Sequence, residues 1–307
     1  MGPQGRREGE RGLRVKGKQQ RVGRFFTPSV VISLAVLAVI LIGVLFAGVL
    51  APYDPNYGDL SSAMQGPSAA HLLGTDQTGR DLFSRMLYGG GTTLLGALGV
   101  VAFAVALGVP LGLFSGYYGG WVDTLVLRVS DIVISFPSLL LAFVFVAAFG
   151  RGFGNTVVAL GILYIPMTAK LTRSLVLMER GKTYVEAARA VGCSDTHILF
   201  LEIFPNCAST LTAQLTLDFG YAILDLAAMS FIGLGVQPPT SDWGAMLEEG
   251  QVMLFTQPLL ALAPGIAIAV TVIALNIFSD GVQRYIDPSQ RQLPGFGKRG
   301  KWGKKAD

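Results

Sequence analysis

The stretch TYVEAARAVGCSDTHILFLEIFP, Thr183 to Pro205, is polar and rich in turn formers, yet hydrophobic runs long enough to cross a bilayer lie on either side. Its local grammar is that of two short helices around a bend. Gly181 stands where a left-handed glycine would end the preceding helix. Thr183-x-x-Glu186 fits a capping box, in which each side chain bonds a free backbone N–H of the first turn. The helix then runs to Val191 and Gly192 ends it. Ser194 can cap a second helix, with Asp195 favourable at its N-terminus, and Pro205 kinks or ends that one because it has no N–H to donate. A plain connector would need none of these constraints. Physics alone leaves two readings nearly even: a bracket that packs its own chain, or a knob for a partner.

The flanking sequence sets the solvent. Apolar residues make up 51% of the 307 and charged residues 14%, against about 25% charged in ordinary soluble domains. Crossing a hydrocarbon core takes about 20 apolar residues. The segments 28–50, 92–114, 132–149, 156–177, 210–232 and 259–278 meet or approach that length, the third being short. The first is too long for a signal-peptide core and no A-x-A site follows it, so it reads as a retained span. The fold class is therefore all-α integral membrane, with six transmembrane helices.

Six spans put both termini on one side. With the N-terminus inside, 21 of the 24 Lys and Arg lie in inside segments, and only Arg80, Arg85 and Arg151 lie outside. Thr183–Pro205 is then cytoplasmic. The chain divides into a basic cytoplasmic tail (1–27), a first span (28–50), an external loop (51–91), a core of five spans (92–280) and a second basic cytoplasmic tail (281–307). Those basic tails account for the pI near 9 and suit a membrane surface rather than nucleic acid.

Three further patterns carry meaning. Ala104, Gly108, Gly112, Gly116 and Gly120 recur every four residues, which gives one helix face thin enough for another backbone to approach. Gln214, Asp218, Tyr221 and Asp225 share one face of the fifth span. A carboxylate at mid-membrane costs about 2.5–3.5 kcal/mol, so these acids line a polar path or are hydrogen-bonded in place. In the external segment, Asp76, Arg80, Asp81 and Trp243 either meet a delivering protein or fold the loop, and Trp243 alternatively anchors at the interface. Arg128 and Asp131 sit three apart and suit a local ion pair.

Catalytic and metal-ligating sets are missing. With His71 and His197 as the two histidines, and Cys193 and Cys207 as the two cysteines, no triad, metal spacing or disulfide framework can be assembled. Gly295 to Lys301 matches G-x-x-x-x-G-K, but Trp302 stands where a magnesium-holding Ser or Thr is required.

Glu186-Ala187-Ala188, then Gly192, then Ile203-Phe204-Pro205, resembles the EAA loop of ABC-importer permeases. HLLGTDQTGRDLFSRMLYG (71–89) and SFIGLGVQPPTSDWGAML (230–247) resemble external segments of the dipeptide/oligopeptide/nickel permease branch, which also serves glutathione. The resemblance runs from about His71 to Pro288. It implies a type I ABC-importer permease fold with a cytoplasmic EAA coupling loop. Glu186, Ala187, Ala188, Gly192, Ile203 and Pro205 would then be the ATPase-coupling positions. The implied partners are ABC ATPase subunits, a second related permease subunit, an extracytoplasmic solute-binding protein and membrane lipid. No cofactor belongs to this chain, since ATP and Mg would sit on the ATPase. A self-powered secondary transporter and a membrane scaffold remain as alternatives.

Overall fold

The computed structural model describes residues 27–286, so residues 1–26 of the first tail, residues 287–307 of the second and with them the Gly295–Lys301 stretch lie outside the described residues, while 281–286 continue the last helix. The elements are helical: α1 (Pro28–Leu45), α2 (Ala47–Leu50), α3 (Leu82–Tyr118), α4 (Gly120–Ile134), α5 (Ser138–Phe149), α6 (Phe153–Arg180), α7 (Thr183–Ala190), α8 (Asp195–His197), α9 (Phe204–Phe231), α10 (Trp243–Gln251) and α11 (Leu259–Ile286). A π-wound segment, Ile198–Ile203, joins α8 to α9, and a 3-10 turn covers Leu60–Ser62. Among the described residues the nearest thing to a strand is one bridge, Thr75 to Asp81.

Five helices are long and apolar enough to cross a membrane, or six when α4 and α5 count as one broken span. The expected third span is this broken one. α4 and α5 meet at 88°, and α5 alone has 12 residues. Pro137 causes the break, because a residue before proline is pushed out of helical geometry and the ring cannot donate backward. The second span starts ten residues earlier than the apolar run, at Leu82, where the Asp81 carboxylate accepts the Ser84 N–H. The external loop is shorter by that amount.

α3 and α6 form the central pair. A Cβ on Gly108 would stand 2.9 Å from the Ile165 carbonyl oxygen, one on Gly112 2.6 Å from Thr172 Cβ, and one on Gly116 2.9 Å from the Arg173 oxygen. The four-residue spacing is thus a seam inside the chain. Gly120 is not part of it, because α3 ends at Gly119, and Gly119 and Gly120 both turn with positive φ (69° and 62°). Asp123 and Asp131 of α4 bond Arg173 and Lys170 of α6, the second at 2.6 Å. Asp131 therefore pairs across helices rather than with Arg128.

Two separate apolar clusters follow. The larger joins α3, α5, α6, α9, α10 and α11. The smaller lies at the elbow end of the bundle, where Val109, Leu113 and Tyr117 of α3 meet Val176, Val185, Ile198, Leu199 and Ile203. α1 buries only Val30 and Ser33 and runs along α11, where Gly281 makes room for Val30.

Candidate functional site

The elbow is built from its ends inward. α6 stops at Gly181, which has φ −86° and not the left-handed φ expected of it. The capping box is not formed: Lys182 occupies the cap position, Thr183 is already helical, and no side chain caps α7. Glu179, which the sequence patterns did not single out, organises this turn. Its carboxylate takes Lys182 Nζ at 2.5 Å and the Tyr184 hydroxyl at 2.8 Å. Burial, and then that carboxylate, push the Tyr184 phenol up to about 12, so it stays protonated and donates at any physiological pH.

The far end of α7 is a Schellman motif. The Gly192 N–H reaches the Arg189 oxygen and the Cys193 N–H reaches the Ala188 oxygen, each at 3.0 Å. Gly192 has φ +89°, and Ala188 and Cys193 both pack on the smaller cluster. Ser194 then caps α8, accepting the His197 N–H. The second helix does not end at Pro205. It runs on into the fifth span, and the wide π turns before Pro205 accept its ring without a break.

The elbow has an anchored side and an open side. Val185 and Ile203 are fully buried. Glu186, Ala187, Arg189, Ala190 and Val191 are exposed, Val191 at 84%. Of the positions assigned to coupling, Glu186, Ala187, Gly192 and Pro205 lie open, Ala188 is half-buried, and Ile203 holds the elbow from within.

The polar face of α9 is assembled as expected, with one addition. Gln214 Nε2 donates to Asp218 at 3.1 Å, and Tyr164 of α6 donates its hydroxyl to Asp225 at 2.8 Å. Tyr221 on the same face is 53% exposed. Both acids are half-buried, each held by a neutral donor, and neither has a cation partner among the described residues. Tyr164 lacked a sequence signal because its partner lies 61 positions away.

At the end of the bundle opposite the elbow, the acids of 76–81 and Trp243 fold a cap. Asp76 accepts Arg80 Nε at 2.7 Å and Arg85 at 2.5 Å, and Arg85 also reaches Glu249 at 2.6 Å. Burial raises the Asp76 carboxyl, but the Arg80 N–H, Arg85, Thr78 and the Arg80 charge together hold it below the usual carboxylate range. Asp81 bonds His71 and caps α3. Trp243 is 3% exposed, with its indole N–H on the Met86 oxygen, so it is neither an interface anchor nor an outward contact. Asp242 caps α10 and takes the Thr93 hydroxyl at 2.6 Å. A cleft of about 420 Å³ opens beside this network, lined by Asp76, Arg80, Arg85 and Glu249 among others. Arg85 and Glu249, absent from the expected set, are its centre. Among the described residues no His, Cys, Asp and Glu group can hold a metal.

A bundle of this kind, with an exposed elbow between two spans and two half-buried acids on one of them, suits a membrane permease subunit. The chain belongs to the family described as binding-protein-dependent transport system inner membrane component, which matches residues 108–292. Residues 27–67 match the N-terminal transmembrane domain of oligopeptide transport permease C. The glutathione transport system permease protein GsiD of Pectobacterium atrosepticum is 40% identical, covering 86% of this chain and 89% of that protein. The probable D,D-dipeptide transport system permease protein DdpC of Escherichia coli K12 is 40% identical, covering 85% and 88%. Among solved structures, a chain of the MetNI methionine ABC transporter in an inward-facing conformation aligns with a TM-score of 0.53 and 17% identity, over 66% of this chain and 96% of that one. The chain is thus a multi-pass ABC-importer permease.

Proposed function

We propose that this permease forms half of the path of an ATP-driven importer for small peptides of the glutathione or dipeptide type, with a second related permease as the other half. ATP and Mg are held by separate ATPase subunits, which dock on the elbow. An extracytoplasmic solute-binding protein delivers the solute to the external cap that Asp76, Arg80, Asp81 and Trp243 keep rigid. Both termini and the elbow are cytoplasmic, as the distribution of Lys and Arg supports.

One observation carries the coupling reading: α7 is pinned by Val185 beneath and leaves Ala187, Ala190 and Val191 open above. An apolar, shape-fixed knob left in water marks a docking surface. Transport then follows from population shift, with nucleotide and loaded binding protein favouring different states of the bundle. Gln214, Asp218, Tyr221 and Asp225 line the path. Two carboxylates without a cation partner among the described residues suit the ammonium group shared by glutathione and dipeptides. The names of the two relatives support that substrate class.

Uptake of labelled glutathione and of alanyl-alanine into vesicles holding the complete importer tests the reading. Uptake is expected to need ATP inside and to stop when the ATPase is omitted. Gradient-driven uptake without ATPase would contradict it. Asp218→Asn is expected to lower uptake about ten-fold or more while leaving assembly intact, and parental kinetics would remove Asp218 from the path.

A further inference from the structure

Three side chains from successive pieces of chain around the elbow converge on one ring. Tyr117, at the elbow end of α3, is 4% exposed. Its hydroxyl donates to Asp195 Oδ1 at 2.6 Å, at the first residue of α8. The Arg180 guanidinium, closing α6, lies 5.9 Å from the ring centroid, and that of Arg189, in α7, lies 5.6 Å from it. The Tyr117–Asp195 bond thus joins α3 to the segment 183–203, and Arg189 of that segment acts on the same hydroxyl.

The elbow needs such a tie. α7 is bounded by two glycine turns, at Gly181 and Gly192, and a Cβ added at either would meet nothing within 4 Å. Buried Val185 ties α7 to α3 by packing alone, and packing without a directed bond can slip at these uncrowded turns. A displacement of α7 could be absorbed there instead of reaching the spans. α3 is the stiff receiver, locked to α6 at Gly112 and Gly116 immediately before Tyr117. Phe114 and Phe200 add an edge-to-face contact at 6.3 Å between the same two bodies.

We infer that Tyr117 is the positioning residue that makes the elbow and α3 one lever, so that a push on α7 turns the α3–α6 pair. The inference rests on the coupling reading of the elbow. Without the hydroxyl the elbow still binds its ATPase, because the open side of α7 is untouched. What is lost is transmission.

The test uses the complete importer in lipid vesicles, with spin labels at Ala187 on α7 and Leu111 on α3. In the parent, the distance between them is expected to be narrow and unchanged when ATP is added, because both ends move together. In Tyr117→Phe, which keeps the ring and both cation contacts, ATP is expected to shift or broaden it. Crosslinking of Ala187→Cys to the ATPase and basal hydrolysis are expected to stay within two-fold of the parent. Glutathione moved per ATP should fall about ten-fold, the scale of one hydrogen bond to a charged group. The double variant with Asp195→Ala should be no worse than the poorer single. An unshifted distance in Tyr117→Phe, or additive losses in the double variant, overturns the inference. The distance decides the matter whether or not glutathione is the solute. If Tyr117→Phe does not accumulate, Asp195→Ala, which removes the acceptor at an exposed position, is read by the same distance with the same two outcomes. A parent that fails to crosslink at Ala187→Cys overturns the coupling reading itself, a failure visible before any Tyr117 variant is made.

Discussion

Gly192 and Gly181 look alike in the sequence and differ in the structure. Gly192 holds φ +89°, a region where an L side chain costs roughly 1–2 kcal/mol, while Gly181 holds an ordinary φ of −86°. Neither is crowded. Gly192→Val is therefore expected to lose elbow function through backbone strain alone, and Gly181→Ala is expected to be neutral. Solute-stimulated ATP hydrolysis by the reconstituted complex checks both, and equal losses at the two sites would contradict the assignment. Arg85 is the corresponding residue at the cap opposite the elbow. Arg85→Met leaves Asp76 and Glu249 with Arg80 as their one remaining shared cation, so the loss is expected to fall below the about 3–5 kcal/mol of a fully broken buried pair. A thermal melt of the purified chain in detergent should show the loss at pH 7. The Asp76 carboxyl is depressed in the folded protein, so its contribution is full above the unfolded value of about 4 and is lost as pH falls through the lower folded value. The gap between parent and Arg85→Met should narrow in that acid range.

At the scale of elements, the glycine seam is a matter of close approach. Gly112→Leu would drive a side chain into Thr172 and the α6 backbone, and overpacking typically costs 1–3 kcal/mol or more. Gly154→Ala, on the same partner helix with nothing within 4 Å, is the matched control. Expression level and melting temperature should separate the two, and a stable Gly112→Leu would show that the seam is not held. Here the legibility of the sequence becomes clear. Periods of four and runs of apolar residues report what one helix does, so the spans, the seam and the α9 face were readable. Two boundaries were not. α3 starts at Leu82 because Asp81 caps it and Asp242, Trp243 and Met246 pack over Gly89 and Gly90, all partners about 150 positions away. The 88° break before α5 needs Pro137, which was visible, and a bundle to turn against, which was not. The capping box failed for a smaller reason: Glu179 had already tied down Lys182 and Tyr184, so the cap fell one residue early.

Across the whole molecule, two clusters divide the labour. The larger one joins the cap and its Asp76–Arg80–Arg85–Glu249 network to the long helices. The smaller one carries the elbow on the ends of α3 and α6. The site residues split in the same way. The α7 positions were legible because a short helix between glycines is a local pattern. Tyr164, Tyr117, Arg85 and Glu249 were silent because their meaning is a contact between distant segments. The measurement that bears most directly on the account is labelling of Ala187→Cys, in a chain with Cys193→Ser and Cys207→Ala, by a membrane-impermeant maleimide. No labelling is expected in intact cells, labelling is expected after permeabilisation of cells lacking the ATPase, and protection is expected when the ATPase is present. Labelling of intact cells from outside would contradict it.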